Sequence, residues 1–415
     1  MSRSTNSSHQ DDFIPFARPS IGRKEEEAVL EVLRSGWLTT AGQAQAFEQE
    51  FAELTGAAHA LAVNSATAGL HLALEALGIG PGDKVVTTPY TFTATAEVIR
   101  YLQADPLFVD IDERSLTIDP EKTAAAVAEA SGAAGGRIAG GARGPAVKAL
   151  LPVHMGGHPC DMESLLDIAR SHSLSVIEDA AHALPVRYGD SYLGCIGDVG
   201  VYSFYATKTI TTGEGGMVTT MNPDLADRIG VMRLHGIDRE VWKRYTDSQA
   251  SWKYDVVAAG FKYNLPDMAA AVGRVQLQRA FEFLERRREI AERYLKAFRE
   301  LDFLELPSAP DQHAWHLFIL RIKPEKLTIN RDEYINRLRE KGIGSSVHYI
   351  PLHIMSYYAR TYGFAADDFP IAMRVYRSAF SLPIYPDLSD SEVERIIEAV
   401  RSIGAGHYRR SNSAG

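Results

Sequence analysis

Lys208 is the residue on which the chemistry of this chain can gather. It ends the run Ser203-Phe204-Tyr205-Ala206-Thr207-Lys208 and precedes the glycine-rich turn Gly213-Glu214-Gly215-Gly216. Upstream, the acidic pair Glu178-Asp179 closes an apolar run, Leu174-Ser175-Val176-Ile177, that reads as a buried strand. A lysine held near a carboxylate at a strand end is the minimum equipment for pyridoxal phosphate chemistry. The amine condenses with the aldehyde as a Schiff base, and the carboxylate keeps the pyridine nitrogen protonated so that the ring can draw in electrons. A lysine by itself is most often a solvated surface group, so the reading depends on its company.

That company is a set of individually weak signals. Asn64-Ser65-Ala66-Thr67 sits between a strand and a helix, where hydroxyls and free N–H groups suit a phosphate; an ordinary helix cap would look the same. Phe92, in Pro89-Tyr90-Thr91-Phe92-Thr93-Ala94-Thr95, lies just past a strand end and could stack on a flat ring or fill the core. Asp179 could equally be a cap or an ion-pair partner, and His182 could serve a local hydrogen bond.

The elements that must position these residues alternate along the chain. Helical patterns run from Gly22 to Ser35 and from Gln43 to Thr55, followed by a strand at Ala60–Val63 and a helix carrying Leu70, Ala73, Leu74 and Leu77. Strands at Lys84–Thr87, Pro106–Val109, Ala149–Val153, Ser175–Ile177 and Gly200–Phe204 alternate with helices at Thr93–Leu102 and Met162–Ser171. This predicts a mostly parallel sheet covered on both faces. Ala130–Gly144, nearly all small residues, reads as a flexible insertion. Beyond Leu265 the pattern changes to a long helix over Asp267–Glu300, a strand at Leu317–Ile322, a helix at Arg331–Lys341, a strand at Ser345–Tyr349 and a last helix at Asp390–Ile403. The expected organisation is a polar, disordered 1–11, a large cofactor-binding domain over 12–262, a smaller α+β domain over 263–408 and a disordered tail over 409–415.

Composition narrows the class. The 415 residues carry a formal charge of −9, which argues against a nucleic-acid or anionic-membrane surface. Two cysteines, Cys160 and Cys195, make neither a disulfide framework nor a metal site. The first residues lack the apolar stretch of a secretory signal, and no run is long enough to span a bilayer, so a reducing, cytoplasmic setting is expected.

In their order, Asn64–Thr67, Thr91–Thr95, Glu178-Asp179-Ala180-Ala181-His182, Ser203–Lys208 and Gly213–Gly216 resemble the DegT-type nucleotide-sugar aminotransferases. The likeness extends from Ser35-Gly36-Trp37-Leu38-Thr39-Thr40-Ala41-Gly42 to Ser381–Pro386. The resemblance implies the aspartate-aminotransferase fold (fold type I): a large three-layer α/β domain with a mostly parallel sheet, and a smaller C-terminal α+β domain. It implies pyridoxal 5'-phosphate as cofactor, with Lys208 as the Schiff-base lysine and proton carrier and Asp179 as partner of the pyridinium nitrogen. Phe92 would stack on the ring with His182 beside it; Ser65, Ala66, Thr67 and Ser203 would hold the phosphate. Many members have Gly where this chain has Ala66. Asn264, in Gly260–Asp267, matches a motif that reaches a neighbouring subunit's phosphate, which implies a homodimer with shared sites.

The implied reaction moves the amino group of L-glutamate onto a nucleotide-linked keto-sugar for polysaccharide biosynthesis. Lys262-Tyr263-Asn264 and Leu234–Arg239 resemble members that act at carbon 4 of UDP-linked sugars, and Thr39, His316 and His348 are substrate-side candidates. Alternatives on the scaffold are a carbon-3 aminotransferase, an aromatic-amine synthase, a dehydratase and a non-catalytic cofactor-binding regulator. Lys208 argues against the dehydratase, which carries histidine there. No appended DNA-binding segment supports the regulator.

Overall fold

The computed structural model of the chain describes residues 13–134, 146–238 and 254–409. Helices α1 (Arg23–Ser35) and α2 (Gly42–Thr55) precede β1 (His59–Val63), which feeds α3 (Ala66–Ala76). Then come β2 (Asp83–Thr87), α4 (Ala94–Tyr101), β3 (Asp105–Phe108), α5 (Pro120–Ala134), β4 (Ala146–Leu150), α6 (Met162–His172) and β5 (Ser175–Asp179). A short hairpin, β6 (Arg187–Tyr188) and β7 (Ser191–Tyr192), leads to β8 (Val199–Ser203), β9 (Gly216–Thr220) and α7 (Pro223–Met232).

Seven of these strands form one sheet in the order β1-β9-β8-β5-β4-β2-β3. From β8 to β3 every pairing is parallel, and β9 alone runs against both its neighbours. The parallel strands are apolar at almost every position (Val85, Val86, Ala149, Leu150, Val176, Ile177, Val199 and Val201 are all buried), as a sheet covered on both faces requires. Helix α3 lies so close to the sheet that a Cβ on Gly69 would stand 2.7 Å from Val201 Cγ1. On the other face Phe47 and Phe51 of α2 pack against Tyr202, Phe204 and Met217.

The C-terminal part holds α8 (Asp267–Gln278), α9 (Ala280–Phe298), β10 (Leu304–Glu305), β11 (Phe318–Ile322), α10 (Arg331–Glu340), α11 (Ser356–Tyr362), α12 (Pro370–Ser378), β12 (Ala379–Leu382) and α13 (Asp390–Gly406). An antiparallel sheet, β10-β11-β12, is packed by α9, α10 and α13 around Tyr294, Phe298, Phe318, Tyr334, Phe380 and Val400. Ile14 joins this core and bridges to Ile343. The two cores are continuous: Tyr90, Phe108 and Met155 pack with Leu317, Ile319, Phe369 and Val375.

Four expectations change. The predicted helix over Asp267–Glu300 is two helices, broken where Arg279 takes φ −100° and ψ 0°. The predicted strand at Ser345–Tyr349 reduces to a single bridge, Ser346 to Ser381, because the backbone beyond it serves the larger unit. His348 O accepts from Tyr90 Oη at 2.6 Å and Leu352 N donates to Pro89 O at 2.8 Å. The strand expected at Ala149–Val153 is Ala146–Leu150. Of the segment Ala130–Gly144, the first residues to Ala134 finish α5, and the remainder lies outside the described residues, as do 1–11 and 410–415.

Asp267 ties the turn before α2 to the start of α8. Its carboxylate accepts from Ala41 N at 2.7 Å, Ala44 N at 3.0 Å and Gln43 N at 3.1 Å, and the side chain is buried. Asp267→Ala strands these donors and should lower the unfolding free energy by about 2–4 kcal/mol in a denaturant titration.

Candidate active site

Ser65, Phe92, Asp179 and Lys208 all follow the carboxyl ends of sheet strands, where an open α/β sheet leaves its crevice. β1 delivers Ser65, β2 the loop to Phe92, β5 Asp179 and β8 the turn to Lys208. Residues Asp179 and Val201 face each other in register on β5 and β8.

Asp179 is 6 % exposed, and its direct partners are two neutral donors. Thr95 Oγ1 donates to Oδ2 at 2.8 Å and Ala181 N to Oδ1 at 3.2 Å. Burial pushes its carboxyl above the usual carboxylate range, while Thr95, Ala181 and the nearby Lys208 pull the other way. Such a group stays ionised most easily against a buried N–H cation. Burial pulls the Lys208 amine down to about 8, with Asp179 opposing it. A substantial fraction of the lysine is therefore neutral near physiological pH, as a nucleophilic amine needs to be.

Strand alternation turns Glu178 to the side away from Asp179. Its carboxylate accepts from Gly194 N, Ile196 N and Gly197 N at 2.7–2.8 Å and from His154 Nε2 at 3.0 Å. Cys160 N donates to His154 Nδ1, so the ring proton sits on Nε2, the atom that faces Glu178. This network pins the strand end that carries Asp179.

At the head of α3, Ser65 caps the helix by accepting from Ala68 N at 3.0 Å. Gly216, where β9 begins, abuts this turn: a Cβ there would lie 2.8 Å from Ala66 N and 2.9 Å from Ser65 C. A helix N-terminus bordered by a position only glycine can fill is a fitting cradle for a phosphate. Thr67 is half-buried in the same turn. Ser203 Oγ accepts only a long bond, 3.4 Å, from Tyr205 N.

Phe92 is 56 % exposed, with its ring 5.9 Å from that of Tyr349. An aromatic open to solvent, three residues before the Thr95 that holds the buried Asp179, fits the flat ring of pyridoxal phosphate. His182 lies behind, its Nδ1 accepting from Gly156 N at 3.2 Å and its Nε2 3.4 Å from Tyr349 Oη. His348 Nδ1 pairs with Ser381 Oγ at 2.9 Å. His316 stacks on His182 with ring centroids 4.4 Å apart.

Asn264 bridges Val63 just before the Ser65 turn, but with Thr39 it lines a different cavity. Asn264 Nδ2 donates to Thr40 Oγ1 at 2.6 Å, and Thr39, Thr40, Lys262 and Asn264 line a cavity of about 660 Å³ along the sheet edge at β1. Lys208, Asp179 and Phe92 are not among its lining residues. Arg239, at the end of the stretch singled out for sugar preference, lies outside the described residues. Among the described residues no cluster of His, Cys, Asp and Glu could hold a metal, and no helix is long and apolar enough to cross a membrane.

Sequence reasoning did not single out Thr95 or Tyr349. Thr91 and Thr95, four apart at a helix start, share one side (Oγ1 to Oγ1, 2.9 Å), a spacing that could have been noticed. Tyr349 gave no signal, since it meets His182 only through the fold.

The model of the DegT/DnrJ/EryC1/StrS aminotransferase family matches residues 19–401. Over 397 residues, covering 95% of this chain and 98% of the relative, the chain is 47% identical to the spore coat polysaccharide biosynthesis protein SpsC of Bacillus subtilis (strain 168). Its fold is similar to that of Spr1654 of Streptococcus pneumoniae in its PMP-form, named as a sugar aminotransferase, with TM-score 0.84 and 30% identity over 95% of this chain and 99% of that one. It is also similar to Helicobacter pylori PseC, an aminotransferase involved in the biosynthesis of pseudoaminic acid, with TM-score 0.84 and 27% identity over 95% of this chain and 100% of that one.

The buried histidines carry a pH signature. Burial and the neighbouring Lys208 pull His348 down to about 4; His182, His313 and His316 are also lowered, chiefly by burial. Each is neutral when folded and takes a proton near 6.5 when unfolded, so stability is full above about 6.5 and falls as pH falls through it. For His348 the loss stops below about 4 and amounts to about 2 kcal/mol at pH 5. The midpoint of thermal unfolding should drop steeply between pH 7 and 5, and His348→Gln should flatten that slope.

Proposed function

We propose, on the premise that this chain belongs to the DegT/DnrJ/EryC1/StrS aminotransferase family, that it moves the amino group of L-glutamate onto carbon 4 of a UDP-linked 4-keto-sugar. That it is a pyridoxal-phosphate-dependent sugar aminotransferase is common ground with that family and its solved members. The donor, the nucleotide and the carbon are the proposal. The observation that carries it is Lys208, half-buried and within electrostatic reach of the buried Asp179 carboxylate, with the ring of Phe92 open to solvent on the segment that also carries Thr95. The roles of SpsC in spore coat polysaccharide biosynthesis and of PseC in pseudoaminic acid biosynthesis support a sugar acceptor, and that of SpsC one made for a polysaccharide.

When bound, the cofactor supplies an aldehyde to carry the amino group and a ring that withdraws electrons from the reacting carbon. The protein does the rest. Asp179, fixed by Thr95 and Ala181, offers its carboxylate to the ring nitrogen. Ser65, Ala66 and Thr67 offer the helix N-terminus to the phosphate, with Ser203 beside them, and Phe92 covers the ring. In its neutral form Lys208 Nζ takes the proton from the donor's Cα. In the second half it delivers a proton to the sugar carbon that bore the ketone. His348, tied to Ser381, serves the substrate side.

Two copies make the working unit in this reading. Asn264 and Thr39 line the edge cavity and would complete a partner's site rather than their own. Ile21, Leu30, Leu33, Trp37, Leu38 and Met268 leave an apolar surface along α1 and the start of α8 that a second copy would cover.

Incubation with L-glutamate and a panel of UDP- and dTDP-linked 3-keto and 4-keto sugars, read by mass spectrometry, should give an amino-sugar only from the UDP-4-keto compounds. Lys208→Ala should form none, and turnover by that variant would overturn the role of the lysine. Mixing Lys208→Ala with Asn264→Ala protein should restore activity, since a quarter of the sites in statistically mixed dimers, or about half within each heterodimer, would be intact. No recovery on mixing would overturn the shared site.

A further inference from the structure

Arg287 is buried without a carboxylate partner. Its Nη1 donates to Ile384 O at 2.5 Å, Trp315 O at 3.4 Å and His316 O at 3.5 Å, and its Nε has no partner. The short bond ties the guanidinium to Ile384, and its longer contacts rest it against the backbone at Trp315–His316, where Trp315 takes a φ of 48°. A buried cation spent on three carbonyls is an expensive way to hold a turn unless the turn's side chain matters.

That side chain is the imidazole of His316. It is 6 % exposed, lies on the ring of His182 at an interplanar angle of 26°, and its Nδ1 has no partner. His182 receives Gly156 N–H on Nδ1, which leaves Nε2 as the proton-bearing atom of the neutral ring, on the side of Tyr349 Oη. Around the two rings stand Lys208, His348, Tyr349 and Arg287, with Asp179 at the strand end. Burial first, and then the nearby charges such as Lys208, disfavour a second proton on either imidazole.

We propose that His316 is a positioning residue. Stacked behind His182 and anchored through Arg287, it holds the His182 ring so that Nε2–H is presented to the site as a fixed donor to a ring oxygen of the cofactor. By family resemblance His316 stands among the substrate-side candidates; the stack assigns it to the layer behind them. Gly156 N–H and Tyr349 Oη meet the His182 ring at its two edge nitrogens and leave its faces to be set by packing. The His316 ring defines the face. The inference rests on the cofactor site of the proposed function but not on the choice of donor or sugar.

The test uses the full chain loaded with pyridoxal phosphate and no substrate. Absorbance of the bound cofactor is titrated from pH 5.5 to 10 in the parent protein, in His316→Phe and in His316→Leu, alongside ring ¹⁵N NMR of histidine-labelled protein. The parent should show His182 as one tautomer, with the proton on Nε2. His316→Phe keeps a flat ring against His182 and should stay within about 0.3 units of the parent midpoint. His316→Leu should shift the midpoint by about one unit, the size of one hydrogen bond to a charged acceptor, and mix the His182 tautomers. Should thermal unfolding find the leucine variant unfolded, His316→Gln takes its place. An unshifted midpoint and a single tautomer in the leucine or glutamine variant would overturn the proposal. So would an equal shift in His316→Phe, or a parent His182 carrying its proton on Nδ1. None of these readings involves an amino donor or a sugar, so failure here is separable from failure of the substrate assignment.

Discussion

Two carboxylates buried side by side at the end of β5 set the terms for everything around them. A charge in the interior costs several kcal/mol unless it is bonded on all sides. Glu178 meets that condition with three backbone amides and His154. Asp179 does not: it has Thr95 and Ala181, and burial still pushes its carboxyl upward. One carboxylate is satisfied by the protein, and its neighbour is left wanting a cation. The first makes the strand end rigid; the second makes it a binding group. The same low-dielectric surroundings bring the Lys208 amine down to about 8, so one cause prepares both members of the pair.

Much of this was legible in the sequence, and for identifiable reasons. The parallel strands are continuous apolar runs closed by polar residues, so the runs read at Ser175–Ile177 and Gly200–Phe204 fall on the observed Ser175–Asp179 and Val199–Ser203 to within two residues. Ser65, Asp179 and Lys208 sit at strand ends because the architecture brings those ends to one side. What the pattern could not convey is contact between distant segments. Tyr349 meets His182 across 167 positions, and the stack of His316 on His182 has no local periodicity to betray it. Local propensity also misled: Ser345–Tyr349 is rich in strand formers, yet tertiary bonds to Tyr90 and Pro89 draw its backbone away from the sheet. The break at Arg279 is equally silent, since both flanking helices keep the helical period.

The division of labour between the two parts of the chain follows from the shared core. Phe108 and Met155 pack with Leu317, Ile319 and Val375, and Asp110 caps the helix starting at Pro370 by accepting from Ile371 N and Ala372 N at 2.9 Å each. His182 on one part and His316 and Tyr349 on the other are thereby held across a packed seam rather than across a free cleft. Packed interiors transmit displacement, so residues far from Lys208 help to fix the rings beside it.

Ile14 carries a consequence of a different kind, for the order of assembly during synthesis. It belongs to a core whose other members run from Ile290 to Ile403. The larger sheet can form once the chain has reached about Thr220, because all its strands precede that point. Ile14 must wait until the chain has passed Ile343, the residue it bridges, before its backbone partners exist. Ile14 therefore finds its place only after the larger sheet can already have formed, and the loop it closes to Ile343 is among the longest in the described chain.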